Sequence, residues 1–206
     1  MSSARISSIP RTSVSAPDAS GSLVSGRHGA AGGDPVRIAR CRCDLVQLAA
    51  REGRKADLAA AMRAAFGVDL PPAGHAATAN DIAALWVQPN AWMLMAPPAA
   101  EGVFARAVRA AGGDAGSVVD QTHGRVVFSL AGSNARRVLQ NLCRLDLHPR
   151  AFGSGRVATT PMAEIACLLH QRDDVPSFDL IVFSTFAAHF AGALTHAAAG
   201  VGYEIA

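Results

Sequence analysis

Short apolar segments, switching between a two-residue and a 3.6-residue period and each closed by a turn signal, constrain this chain most. Cys41, Cys43 and Leu45 alternate with Arg40, Arg42 and Asp44, so Val36 to Ala50 reads as one or two strands. Arg54 to Phe66 then changes period: Leu58, Ala59, Met62, Ala65 and Phe66 share a helical face, and Gly67 suits the residue after a helix end. The stretch from Pro71-Pro72 to Asn80 reads as a loop. Ala83 to Val87 and Ala91 to Ala96 flank Gln88-Pro89-Asn90 as a hairpin. Ala99 to Ala111 is a second helix, with Val103, Phe104, Ala107 and Val108 inward and Gly112-Gly113 ending it.

A similar series follows. Strands Ser117 to Gln121 and Arg125 to Leu130 are expected to pair across Thr122-His123-Gly124. Ser133 is placed to cap a helix to about Leu142, and Asp146 to Gly155 is irregular. Strands Met162 to Arg172 and Phe178 to Phe183 bracket a polar loop, Ser184 is placed to cap a helix to Ala199, and Val201 to Ile205 can add a strand. This order predicts an α+β fold of two β-α-β-type units with largely antiparallel sheets, meeting near Gly112 to Gly116.

Composition narrows the function classes. The 206 residues, 50% hydrophobic, suffice for a real core, but no apolar run approaches the ~18 residues of a membrane span. A net charge of +3, with no basic stripe interleaved with aromatics, argues against a nucleic-acid partner. Met1 to Asp34 holds nine Ser and five Gly without the apolar h-region of a secretory signal. Its composition is that of a flexible tail (1–34) ahead of one domain (35–206), although Ser/Arg-rich, acid-poor segments also serve as organelle transit peptides. Four cysteines in a chain of this length fit reduced thiols and a cytoplasmic location.

The residues yield no catalytic, cofactor-binding or metal-binding assignment. His189 and His196 are seven apart, roughly 10.5 Å along a helix at 1.5 Å per residue, too far to share an ion. Cys41 and Cys43 point to one side of a strand but lack a second ligand pair at zinc-finger spacing. Gly153-Ser-Gly155-Arg-Val-Ala158 matches a dinucleotide string, yet His148-Pro149-Arg150 precedes it and Thr159-Thr160-Pro161 follows, where a strand and a helix are needed. Strand alternation separates His123 from Asp120. Asp146 and His148 form the most interesting polar pair, with Asp146 read as a turn or cap residue.

Longer strings say more. The chain runs Val119-Asp120-Gln121-Thr122-His123-Gly124-Arg125, then Leu130-Ala131-Gly132-Ser133-Asn134-Ala135-Arg136-Arg137-Val138-Leu139. It continues Leu145-Asp146-Leu147-His148-Pro149-Arg150-Ala151-Phe152, with Gly155 beyond, and later Ser184-Thr185-Phe186-Ala187. Upstream lies Leu85-Trp86-Val87-Gln88-Pro89-Asn90-Ala91-Trp92-Met93-Leu94. In order and spacing these resemble the gamma subunit of heterotetrameric sarcosine oxidase, over roughly Val36 to Ala199. Phe183 departs from that pattern, standing where Arg is expected, and His189-Phe190 replaces a more usual apolar or Trp-bearing pair.

The resemblance implies a fold akin to the folate-binding domain of aminomethyltransferases. It also implies an accessory, non-catalytic role in a complex that oxidatively demethylates sarcosine to glycine, with tetrahydrofolate accepting the one-carbon unit. Partners would be alpha, beta and delta subunits, with contact mainly to alpha. FAD, FMN, NAD and tetrahydrofolate would belong mainly to alpha and beta, and zinc to delta. Two rival readings are a stand-alone folate-binding one-carbon protein and a gamma-like subunit of an oxidase for another N-methyl amine. The first of these carries a K-G-C-Y-x-G-Q motif that this chain lacks.

Overall fold

The computed structural model describes residues 23–31 and 33–206. In chain order the strands and helices are β1 (Gly26–His28), β2 (Val36–Cys41), β3 (Asp44–Ala50), α1 (Lys55–Phe66), β4 (Ala76–Ala79), β5 (Ile82–Gln88) and β6 (Ala91–Ala96). They continue with α2 (Val103–Gly112), β7 (Gly116–Asp120), β8 (Arg125–Ala131), α3 (Ala135–Gln140), β9 (Val157–Met162), β10 (Ile165–Asp173), β11 (Ser177–Phe183), α4 (Ala187–Ala198) and β12 (Tyr203–Ile205).

The strands form two sheets, one in the order β4-β5-β6-β3-β7 and one in the order β1-β12-β2-β8-β11-β10-β9. Every pairing is antiparallel except β12 with β2. This is the α+β, largely antiparallel class expected.

Alternation along each strand decides what the two faces of a sheet meet. In β6, Trp92, Leu94 and Ala96 join the core under α1 and α2, whose buried residues include Leu58, Met62, Phe104 and Val108. Met93 and Met95 turn the other way, into a layer between the sheets with Leu45, Leu85, Val127, Leu168 and Ile181. A strand buried on both faces reads as a continuous apolar run, and Ala91–Ala96 is one. On the far side α3 and α4 cover the seven-stranded sheet over Phe128, Leu130, Phe178 and Leu180, with Phe190 of α4 packed on Phe128. Four layers result: helices, sheet, sheet, helices.

Several boundaries differ from expectation. β7 and β8 are not a hairpin: β7 pairs with β3, while β8 pairs with β11 and β2, so Gln121–Gly124 carries the chain from one sheet to the other. The Arg42-Cys43 link does the same between β2 and β3. The two units therefore join at these crossovers, and β2 belongs with the later strands rather than with the first unit.

The stretch Met162 to Arg172 is a turn and most of a strand rather than one strand. β9 ends at Met162 and β10 starts at Ile165, with Ala163 (φ 47°) and Glu164 (φ 67°) both left-handed between them. That is the signature of a type I′ turn, made here without Asn or Gly. Asn80 (φ 48°) and Asp81 (φ 63°) make the equivalent turn between β4 and β5, inside and just after the stretch read as a loop.

Neither Ser133 nor Ser184 caps a helix. Ser133 Oγ donates to Asp34 Oδ2 at 2.7 Å, and Ser184 opens a 3-10 turn, Ser184–Phe186, ahead of α4. Of the expected tail, residues 1–22 lie outside the described residues. Within its remainder, Gly26–His28 is a strand paired with Tyr203–Ile205.

Candidate functional site

The two crossovers lie side by side because backbone and side chain lace them together. Gln121 N–H donates to Leu45 O at 2.8 Å, and Leu45 N–H donates to Thr122 Oγ1 at 3.1 Å. A cleft of about 500 Å³ opens there, lined by Arg40 to Leu45, Pro98, Ala99, Glu101, Gly102, Asp120, Thr122, His123 and Arg125 to Val127. It thus gathers Cys41, Cys43, Asp120 and His123, which sequence reasoning treated as separate pairs.

Two of the cleft's three carboxylates, those of Asp44 and Asp120 but not Glu101, are occupied locally. Asp120 Oδ1 accepts from Thr122 N–H at 3.0 Å. Burial pushes the Asp120 carboxyl up, but the two Thr122 hydrogen bonds and the charges of His123 and Arg109 outweigh it and hold it below its ordinary value. Asp44 Oδ2 accepts from Ala99 N–H at 3.3 Å, while burial raises its carboxyl.

The thiols are quiet. Burial first, then Cys41, Asp179 and Asp44, push Cys43 up to about 12, so it is a neutral thiol at physiological pH and a poor nucleophile. Cys143 and Cys167 are buried and raised for the same reason. Thiol titration of the native protein at pH 8 should therefore leave Cys43, Cys143 and Cys167 unmodified, with all four reacting in denaturant. Fast native labelling of Cys43 would contradict the raised pKa that burial gives it.

Arg125 differs from its neighbours. Its guanidinium lies 4.0 Å from the centre of the Phe183 ring, and its Nε is buried without a hydrogen-bond partner. Burial lowers its pKa, partly opposed by Cys167. The cleft thus sets three arginines, Arg40, Arg42 and Arg125, beside three carboxylates, and its Cys43 is no activated nucleophile.

The other sequence candidates sit elsewhere. Asp146 Oδ1 accepts from His148 N–H at 2.9 Å, and His148 Nδ1 accepts from Arg150 N–H at 3.2 Å, so both serve the turn they belong to. The Gly153 to Ala158 string runs into β9, which offers no helix N-terminus to a pyrophosphate. His189 and His196 are exposed on α4. Among the described residues no group of three His, Cys, Asp or Glu is placed to hold a metal ion, and no helix is long and apolar enough to cross a membrane.

The cleft was missed because its lining comes from four separate segments. The only sequence signal for it was the pair of short polar links that break strand alternation at Arg42-Cys43 and Thr122-His123-Gly124.

Comparison with known proteins places these features in a wider setting. A model of the sarcosine oxidase gamma subunit family matches residues 52–200. The sarcosine oxidase subunit gamma of an Arthrobacter species is 41% identical over 112 residues, 53% of this chain and 55% of that protein. That of Corynebacterium strain P-1 is 36% identical over 132 residues, 63% of this chain and 64% of that protein. The aligned part thus spans less than two thirds of either relative.

Among solved structures, a chain of the heterotetrameric sarcosine oxidase from Corynebacterium sp. U-96 superimposes with a TM-score of 0.71 at 31% identity, covering 81% of this chain and 85% of that one. An aminomethyltransferase of the glycine cleavage system from Bartonella henselae superimposes with a TM-score of 0.62 at 14% identity, over 83% of this chain and 47% of that one. The latter is a likeness of fold alone.

Proposed function

Because the chain belongs to the sarcosine oxidase gamma subunit family, we propose that it is the gamma subunit of a heterotetrameric complex that oxidatively demethylates sarcosine. The observation that carries this reading is the match to the heterotetrameric enzyme, which spans both sheets at 31% identity. In this reading the chain is an accessory subunit packed mainly on alpha, and the complex is cytoplasmic. FAD, FMN, NAD and tetrahydrofolate are held mainly by alpha and beta, and zinc by delta. Tetrahydrofolate accepts the carbon lost when sarcosine becomes glycine. A cleft whose Cys43 thiol is neutral and whose Asp44 and Asp120 carboxylates are locally bonded is in keeping with that division of labour.

Tagged protein recovered from its native cell should co-elute with a yellow complex that makes hydrogen peroxide when given sarcosine. A yellow complex that is inert to sarcosine but oxidises another N-methyl amine would keep the architecture and change the substrate. A lone, colourless chain recovered from cells that make the flavin subunits would overturn the reading in favour of a free folate binder.

A further inference from the structure

The cleft has an aromatic edge. Six large apolar side chains are exposed among the described residues: Val24, Val103, Val119, Val175, Phe183 and Phe186. The two aromatic ones belong to the strand end and turn that adjoin the cleft. Phe183 stacks on the lining residue Arg125, and Phe186 closes the 3-10 turn that begins one residue later. A backbone hydrogen bond from Ser184 N–H to Gly124 O, 3.0 Å, ties that turn to the crossover. Scattered apolar residues on a surface need no explanation, but two exposed aromatic rings beside a cleft arginine point to an interaction surface.

The charge inside the cleft says what the partner brings. No carboxylate pairs with Arg125 among the described residues, although its Nε is buried and Phe183 fixes the guanidinium plane. Asp44 and Asp120 spend hydrogen-bonding capacity on Ala99 and Thr122, and the cleft's third carboxylate, Glu101, makes no ion pair with Arg125 among the described residues. Arg42 lines the same cleft and likewise makes no ion pair among the described residues. A partly desolvated guanidinium without a counter-charge is an incomplete pair, and Arg beside exposed aromatics is the composition of an interface hot spot.

We infer that this face docks another subunit of the complex, which inserts a carboxylate side chain onto Arg125 and lays apolar side chains against Phe183 and Phe186. The inference rests on the subunit reading above, and it names the surface and the chemistry of the contact. Guanidinium and carboxylate meet as a forked pair, for which Lys is no equivalent.

The test uses the full chain, immobilised, with the remaining subunits of the complex in solution. Arg125→Glu should weaken binding by at least about 30-fold, as loss of a charged hot spot does. Phe186→Asp should weaken it as well, and Arg125→Gln should flatten the decline of affinity with added salt. Arg51→Glu, at the opposite end of β3, should bind like the wild type.

Unchanged binding by Arg125→Glu and Phe186→Asp would overturn the docking surface while leaving the subunit reading intact. Failure of the wild type to bind any of the subunits would overturn the subunit reading itself. If Arg125→Glu does not fold, Phe186→Asp decides, because that side chain is half exposed and outside the core. Stabilisation of the lone wild type by inorganic phosphate, with normal binding by Arg125→Glu, would assign the cleft to a free anion and reject the proposal.

Discussion

Asp179→Ala should lower the stability of the chain by about 3–5 kcal/mol, the usual cost of removing one member of a buried charged group. Asp179 lies on β11, 2% exposed, on the face turned toward the five-stranded sheet. Its Oδ2 is 3.2 Å from His170 Nδ1, and its Oδ1 is 3.2 Å from Arg172 Nε, both from the neighbouring strand β10. The carboxylate is the counter-charge for Arg172, itself only 20% exposed. Ala in its place leaves that guanidinium and the imidazole facing an apolar layer built from Leu168, Ile181 and Met93.

At ~2–4 °C per kcal/mol for a chain of this size, the melting temperature should fall by about 6–20 °C. Asp179→Asn keeps the shape and one acceptor, so it should fall less far. Urea unfolding of the two variants provides the measurement. A loss below about 1 kcal/mol for Asp179→Ala would show that the three side chains do not act as a unit.

The sheets and helices were largely legible because local periodicity reports them. β5 and β6, α1 up to Gly67, and β11 fall close to their expected bounds. What local pattern does not report is which sheet a strand joins. Thr122-His123-Gly124 has a length and composition suited to a hairpin, yet β7 and β8 part there because Val118 belongs to the helix-covered core of one sheet and Phe128 to that of the other. The Ala163-Glu164 turn was invisible for a different reason: nothing in those side chains announces a left-handed backbone.

The cleft shares the first limitation. Its arginine comes from β8 and its stacking ring from β11, 58 residues later in sequence, and their juxtaposition follows from the Phe183–Arg125 register of the two strands. Family likeness was legible even so, since it rests on the order of short strings and needs no knowledge of strand pairing.

The second large effect is expected at Arg136, which shows how a fold holds a segment that has almost no sheet pairing of its own. Between α3 and β9 the chain is irregular, yet Leu147 and Phe152 from this stretch are 1% and 3% exposed and fill the core beneath α3 and α4. Turn hydrogen bonds such as Phe152 N–H to His148 O, 2.9 Å, shape the segment locally, and bonds such as Gly155 N–H to Gln171 O, 2.8 Å, and Ala163 N–H to Leu142 O, 3.0 Å, tie its two ends, but none of these holds its middle. Arg136 does. Its Nη1 donates to Leu147 O and, at 3.0 Å, to Phe152 O, and its Nη2 donates to Gln171 Oε1 at 2.9 Å. The guanidinium also lies 5.5 Å from the Phe178 ring centre.

Arg136→Ala removes the donor to three acceptors at once, one of them on the fully buried Gln171. Hydrogen bonds to a charged group contribute ~1.5–3 kcal/mol each, and partial exposure with mutual dependence keeps the sum well below three times that. The expected loss is about 3 kcal/mol. Arg136→Lys should recover little of it, because an ammonium cannot reach the three acceptors from one plane. The segment should also open before the molecule does, so trypsin should cut the Ala variant at Arg144 or Arg150 under conditions that leave the wild type intact. Loss of stability without that early cleavage would mean that Arg136 supports the core as a whole and is not the anchor of this segment.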